Sequence, residues 1–307
     1  MSSVGSLLGA AYWGLLTATV LYGMTSVQAF IYFCNSKGDT LLVKSMVMFL
    51  WLLDTLHFVF IAQSLYFYVI DNFGDYGALE FLTWTILASI YVTNISDLVA
   101  RWFFARRIYL FCRERNLKIV GRALVTAIII LSLLVFGCGY GFASRGFILK
   151  TYQRLNKISP LLYTSLGTAV IADTTIAVSL CILLFQSRIG FESNKMDSVL
   201  VVLMVFSINT GLLTSLCAIA CFVTYTIWPQ RLIYIGVYFT LSKLYVNALL
   251  ASLNTRNRLR RSGDGIQTMS IPTGVLSPIS FPVTGTHTMD LFEIEGANHK
   301  STADTLP

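Results

Sequence analysis

The residues with chemistry in them lie where chemistry is costly. Lys243 stands in SKLYVNALLASLNTR (242–256) with apolar-biased sequence on both sides. An ammonium group there can neutralise a carboxylate, relay a proton or hold a ligand. At about 1.5 Å per residue it lies ~18 Å into its apolar run, close to the middle. The same arithmetic puts Asp54 ~15 Å into the second run, with His57 one turn further on. Asp173 is near the centre of the fifth run and Asn209 near that of the sixth. Asn94 and Asp97 occupy the third. Asp54 and His57 are i, i+3; Asn94, Asp97 and Arg101 follow i, i+3, i+7; Lys243 and Asn247 are i, i+4. Each set therefore shares one helix face.

A charge at the centre of a membrane helix costs roughly 2.5–3.5 kcal/mol on insertion scales, so several at one depth should face inward and pair. Lys243 is expected to pair with Asp54 or Asp97, and Asn209, Asn247 and His57 would complete the polar network. Asp97 and Arg101 read as an acid–base pair along one helix, nearer the cytoplasm. Such a network either fixes helix register or binds a ligand or ion, and both uses stay open.

Catalysis is less well served. A membrane zinc hydrolase needs several His, Cys or carboxylate ligands converging on one ion, yet His57 is the only histidine of three outside the tail. There is no GxSxG and no glycine-rich phosphate loop. Ser242 and Lys243 are adjacent, which on a helix points them apart. A lysine in a last span also suits a retinal Schiff base, but FTLSKLYVNALL is unlike the seventh helix of rhodopsins. No enzymatic activity, metal or cofactor is expected.

The elements that must carry these residues follow from composition. Hydrophobic residues make up 55% of the 307 and charged residues 12%, about half the charge of a soluble chain; mean hydropathy is +0.70. Seven apolar runs, 8–33, 44–69, 81–104, 120–143, 161–185, 198–226 and 231–252, are each at least 22 residues long, and about 20 suffice to cross a bilayer. In lipid the backbone must bond to itself. The expected fold is all-α, an integral membrane bundle of seven transmembrane helices over 8–255, after a short outer N-terminus (1–7) and before a disordered cytoplasmic tail (256–307).

Lysine and arginine in the connections set the orientation. Fourteen lie on the side shared by 34–43, 105–119, 186–197, their flanks and the start of the tail, against Arg145, Lys150, Arg154, Lys157 and Arg231 on the other. The N-terminus is therefore expected outside and the C-terminus in the cytoplasm, with the plasma membrane as the compartment. No cleavable signal peptide is evident: the N-terminus lacks a basic segment and its apolar run is too long. The net charge of +7 reads as inner-leaflet charge rather than a nucleic-acid footprint, and Arg256, Arg258, Arg260 and Arg261 are placed to contact anionic lipid. None of the six cysteines falls in a predicted outer connection. In the connection 144–160, Ile148, Tyr152 and Leu155 follow i, i+4, i+7, the pattern of a short helix lying on lipid or folding as a lid. The Ser-, Thr-, Gly- and Pro-rich tail cannot build a core and offers hydroxyls such as Ser277 to a cytoplasmic partner.

WLLDTLH (51–57), DTTIAVSLCILLFQSRIGF (173–191), INTGLLTSLCAIACFV (208–223) and YFTLSKLYVNALLASLNTR (238–256), in this order, resemble a large family of seven-helix membrane proteins of mushroom-forming fungi that is known only as a domain of unknown function. The resemblance covers about 10–256 and implies an integral membrane protein without an assigned substrate. Helix three lacks Asp-Arg-Tyr and helix seven lacks Asn-Pro-x-x-Tyr. A receptor-like sensor of an unknown small ligand is the leading expectation. A transporter or channel using the midspan carboxylates and Lys243 is the alternative; proline-broken helices and repeats, which would favour transport, are not evident.

Overall fold

Long apolar runs poor in proline leave the backbone no partner but itself, and the computed structural model is accordingly all-α. It describes residues 4–36, 38–75, 77–114, 117–189, 213–228 and 233–263, all within one unit spanning Met1–Ile266. The helices are α1 (Val4–Asn35), α2 (Leu41–Tyr66), α3 (Trp84–Glu114), α4 (Lys118–Leu149), the single turn α5 (Tyr152–Leu155), α6 (Ser159–Ile189), α7 (Leu213–Ile227) and α8 (Ile233–Gly263). A π-helical turn, Phe67–Asp71, prolongs α2. Pro160 sits in the first turn of α6, where its missing N–H breaks no helical bond. No strand occurs among the described residues, and one isolated antiparallel bridge joins Phe81 to Thr151.

Five helices are long and apolar enough to cross a membrane: Leu8–Asn35, Leu41–Asp71, Lys118–Leu149, Ser159–Leu183 and Ile233–Thr255. Their outward faces carry large apolar side chains, with Phe30 71% and Ile130 60% exposed; water would not tolerate so continuous an apolar surface. The molecule fits an integral multi-pass membrane protein. The other two expected spans differ for separate reasons. The sixth is described only over Leu213–Ile227, its first half lying outside the described residues, as do Asn209 and the tail from 264 onward. α3 is 31 residues long but polar: Thr85, Ser89, Thr93, Asn94, Ser96, Asp97 and Arg101 are all buried. It packs against α2, α4, α6 and α8, so its polarity points into protein. α8 also runs on to Gly263, which makes the basic stretch 256–261 the end of a helix rather than the start of the tail.

α1 and α8 pack closely along their length. Asn247 Nδ2 donates to Leu21 O at 2.9 Å and Asn254 Nδ2 to Gln28 O at 2.8 Å, while Gly236 lies against the Ala10 carbonyl. All three contacts join residues 226 apart, so the two helices run parallel in one register. Gly14 and Gly236 permit the approach, since a Cβ on either would run into the backbone of the other helix.

The end at which α1 and α8 begin is the upper end. There, Leu82 N–H donates to Lys150 O at 2.9 Å, and Tyr68 donates its hydroxyl to Phe81 O at 2.7 Å while lying 3.2 Å from the Tyr152 hydroxyl. This corrects the helix expected through 148–155. Lys150 adopts a left-handed conformation (φ 57°) that ends α4, so Ile148 stays outside, 74% exposed, while Leu155 is buried. The segment folds inward over the bundle.

Buried apolar residues form two clusters, an upper one including Leu8, Ala18, Ile61, Tyr68, Ile86 and Phe239, and a lower one including Tyr32, Leu50, Phe104, Ile108, Leu180 and Leu249. The buried ionisable groups Asp54, His57, Asp97, Arg101, Asp173 and Lys243 come from α2, α3, α6 and α8. Gly14→Ala and Gly236→Ala should each destabilise by about 1–3 kcal/mol through overpacking and lower the thermal midpoint in detergent. Gly23→Ala, with nothing within 4 Å of a new Cβ, should leave it unchanged.

Candidate functional site

Lys243 is wholly buried. Its Nζ donates to Asp54 Oδ1 at 2.7 Å and to the Asp54 carbonyl oxygen at 2.6 Å, and it stands 5.3 Å from the centre of the Tyr22 ring. α1 contributes that ring and Thr25, whose hydroxyl donates to Leu21 O at 3.0 Å. Tyr22 is held by stacking on Phe58, 4.9 Å between centroids, and by a 3.1 Å contact between its hydroxyl and that of Thr55. Asn247 donates to Lys243 O at 3.0 Å and to Leu21 O on α1. His57 is buried and neither ring nitrogen has a hydrogen-bond partner. α1, α2 and α8 thus meet around one ion pair.

A second cluster joins α3, α6 and α8. Arg101 Nε donates to Asp173 Oδ1 at 3.0 Å, the Tyr245 hydroxyl donates to the same oxygen, and the guanidinium lies 5.5 Å from the Tyr245 ring centre. This corrects the expected pairing of Arg101 with Asp97. Both are buried, and the guanidinium reaches across to α6 instead of along its own helix. Asp97 Oδ1 is left without a hydrogen-bond partner. Lys243 and Tyr245 are two positions apart, roughly 200° around a helix, so α8 serves the two clusters from different faces.

Above the second cluster is a cavity of about 80 Å³ between α3, α4, α6, α7 and α8, roofed by Leu82, Tyr152 and Leu155 and reaching down to Asn94, Asp97, Arg101 and Asp173. Asn94 Nδ2 donates to Ile90 O at 2.8 Å and its amide packs on Gly139 of α4, where a Cβ would displace it. At the roof the Tyr152 hydroxyl, withdrawn from water and beside Tyr68 and Tyr234, titrates well above the ordinary phenol range. Lys243 and Asp54 do not line this cavity. Two roomier hollows, about 630 and 330 Å³, are open apolar grooves between α4 and α6 and between α3 and α4, shapes suited to lipid chains.

The single network expected from the sequence is therefore divided. Asp54, His57, Lys243 and Asn247 lie together; Asn94, Asp97 and Asp173 lie with Arg101; Asn209 and the side chains of Arg256, Arg258, Arg260 and Arg261 are outside the described residues. Sequence reasoning missed Tyr245, Tyr22 and the cavity. Tyr245 was reachable in principle, because a tyrosine two residues from Lys243 carries a hydroxyl at the same depth. No group of three or more metal-binding side chains occurs among the described residues, and the six cysteines are free thiols.

Residues 169–258 match a family of unknown function, DUF6534. The match includes Asp173, Lys243, Tyr245 and Asn247, and leaves Asp54, Asp97 and Arg101 outside it. No curated protein and no solved structure matches the chain.

Removing one partner of a buried ion pair costs about 3–5 kcal/mol because the other charge stays buried alone. Lys243→Met should lower folded yield and thermal midpoint sharply, and Lys243→Met with Asp54→Asn should recover most of the loss. A single variant as stable as wild type would show that the pair contributes nothing to the fold.

Proposed function

We propose that the protein is a receptor-like membrane sensor, without enzymatic activity, that binds a small ligand in the cavity between α3, α4, α6, α7 and α8. The observation that carries this reading is the cavity's floor. A ligand reaching Asp97 stands one helical turn from Arg101, the residue that ties α3 to α6 and α8. Binding energy can thereby be exchanged for movement of α3 against its neighbours, the differential contact that a two-state sensor requires. Seven crossings are proposed, counting α3 and the helix that ends as α7. Parallel α1 and α8 require an odd number, and the polar face of α3 is sheltered by four other helices. The lysine and arginine bias supports an outer N-terminus, a plasma-membrane location, and contact of the α8 end with anionic inner-leaflet lipids through Arg256, Arg258, Arg260 and Arg261. The sequence motifs support membership of the fungal seven-helix family, and the hydroxyl-rich tail a cytoplasmic partner.

Transport is the second reading, favoured by one observation: buried ionisable groups are shared among α2, α3, α6 and α8. The lower end of α3 distinguishes the two. Cys112 is buried and packs on Gly121 of α4, whereas Cys34 is exposed. In a chain keeping only these two cysteines, Asp173→Asn should release α3 and raise maleimide labelling of Cys112 about tenfold, equivalent to ~1.4 kcal/mol, with Cys34 unchanged and no flux in proteoliposomes. Unchanged Cys112 labelling, together with a voltage-driven flux through the wild-type chain in proteoliposomes, would replace the sensor by a transporter.

A further inference from the structure

The charges around the cavity floor do not balance. α3 contributes Asp97 and Arg101 and α6 contributes Asp173. No Asp, Glu, Lys, Arg or His of α4 lines the cavity, and α7 has none over Leu213–Ile227; its Cys221 and the Tyr238 of α8 line the wall as a thiol and a phenol. On α8, Lys243 is committed to Asp54, and Tyr245 donates to Asp173. Among the described residues, two carboxylates therefore face one guanidinium. That guanidinium is bonded to Asp173, which leaves Asp97, 7% exposed, with Oδ1 unpartnered beside an open cavity. A buried carboxylate in this position draws either a proton or a cation.

The rest of the lining selects among cations. A small inorganic ion needs about six oxygen ligands at short range, and this cavity is walled mainly by aliphatic and aromatic carbon. Phe142, Tyr152, Tyr234, Tyr238 and Phe239 all line it, and aromatic faces attract organic cations while packing against their apolar parts. We infer that the cavity is a binding site for a small protonated amine with an apolar body, its ammonium group on Asp97 and its carbon skeleton among these rings. The inference rests on the sensor reading's cavity and gives that cavity a ligand class. Occupation would complete the charge balance of the layer next to Arg101, so that an amine acts on the residue that links α3, α6 and α8.

The test uses the full chain in nanodiscs of zwitterionic lipid, with n-propylamine, n-propanol and propionate as probes near neutral pH and the thermal midpoint as readout. Propylamine should raise the midpoint saturably, while propanol and propionate do not. Asp97→Asn should weaken the amine's effect about 10- to 100-fold, the range for losing a hydrogen bond to a charged partner. Equal effects of amine and alcohol would overturn the cation reading and leave the cavity as a neutral-ligand site, with Asp97 protonated. Stabilisation by sodium chloride matching that by the amine would assign the site to an inorganic ion instead. No saturable effect of any probe would overturn the site and the sensor reading with it. The comparison of amine with alcohol on wild type decides the matter even where Asp97→Asn does not fold.

Discussion

A charge withdrawn from water into a bundle of apolar helices must find its counter-charge on another helix, and the arrangement of this molecule depends on that requirement. The solvation cost of an isolated buried ion is several kcal/mol, and pairing offsets it without guaranteeing a surplus. What the pairs supply is selectivity among neighbours. Apolar helices in lipid have little reason to prefer one packing partner over another, because lipid chains are as apolar as leucine. Lys243 on Asp54 and Arg101 on Asp173 make particular contacts cheap and the alternatives expensive. Small residues at the α1–α8 crossing and amide donors onto carbonyls at 2.9 and 2.8 Å then hold the register.

Two elements share the consequences. α8 presents Lys243 to α2 and Tyr245 to α6, so rotating or sliding it disturbs both clusters together. α3 is polar along one length because it is enclosed by α2, α4, α6 and α8. The cavity opens beside α3 at the depth where Asp97 Oδ1 has no hydrogen-bond partner, while Tyr152 and Leu155 of the folded connection roof it. Ligand access, ionic pairing and helix contact thus meet at the step from Asp97 to Arg101.

Five of the helices were legible from the apolar runs, which depend on local length and composition, and helical spacing marked which polar residues share a face. Partners were not. Asp54 and Asp97 lie at comparable depth, and spacing along a helix identifies a face without saying which helix lies opposite. Arg101 shows the error most clearly: i, i+4 proximity to Asp97 suggested a local pair, but Asp173 on α6 offered a carboxylate that also accepts from Tyr245. The break at Lys150 was hidden for a different reason. No glycine or proline marks it, and the periodicity of Ile148, Tyr152 and Leu155 continues through a residue whose positive φ, 57°, turns the chain.

The central claim is that Arg101 and Asp173 act on stability as one unit across α3 and α6. A double-mutant cycle measures this directly, with Arg101→Leu, Asp173→Leu and the double variant compared in the same bilayer by reversible unfolding. Coupling of at least about 1.5 kcal/mol, with the double variant less damaged than the sum of its parts, is the predicted result. Losses that add within about 0.5 kcal/mol would mean that the two residues do not depend on each other, and the ionic link from the cavity to the helix packing would fall.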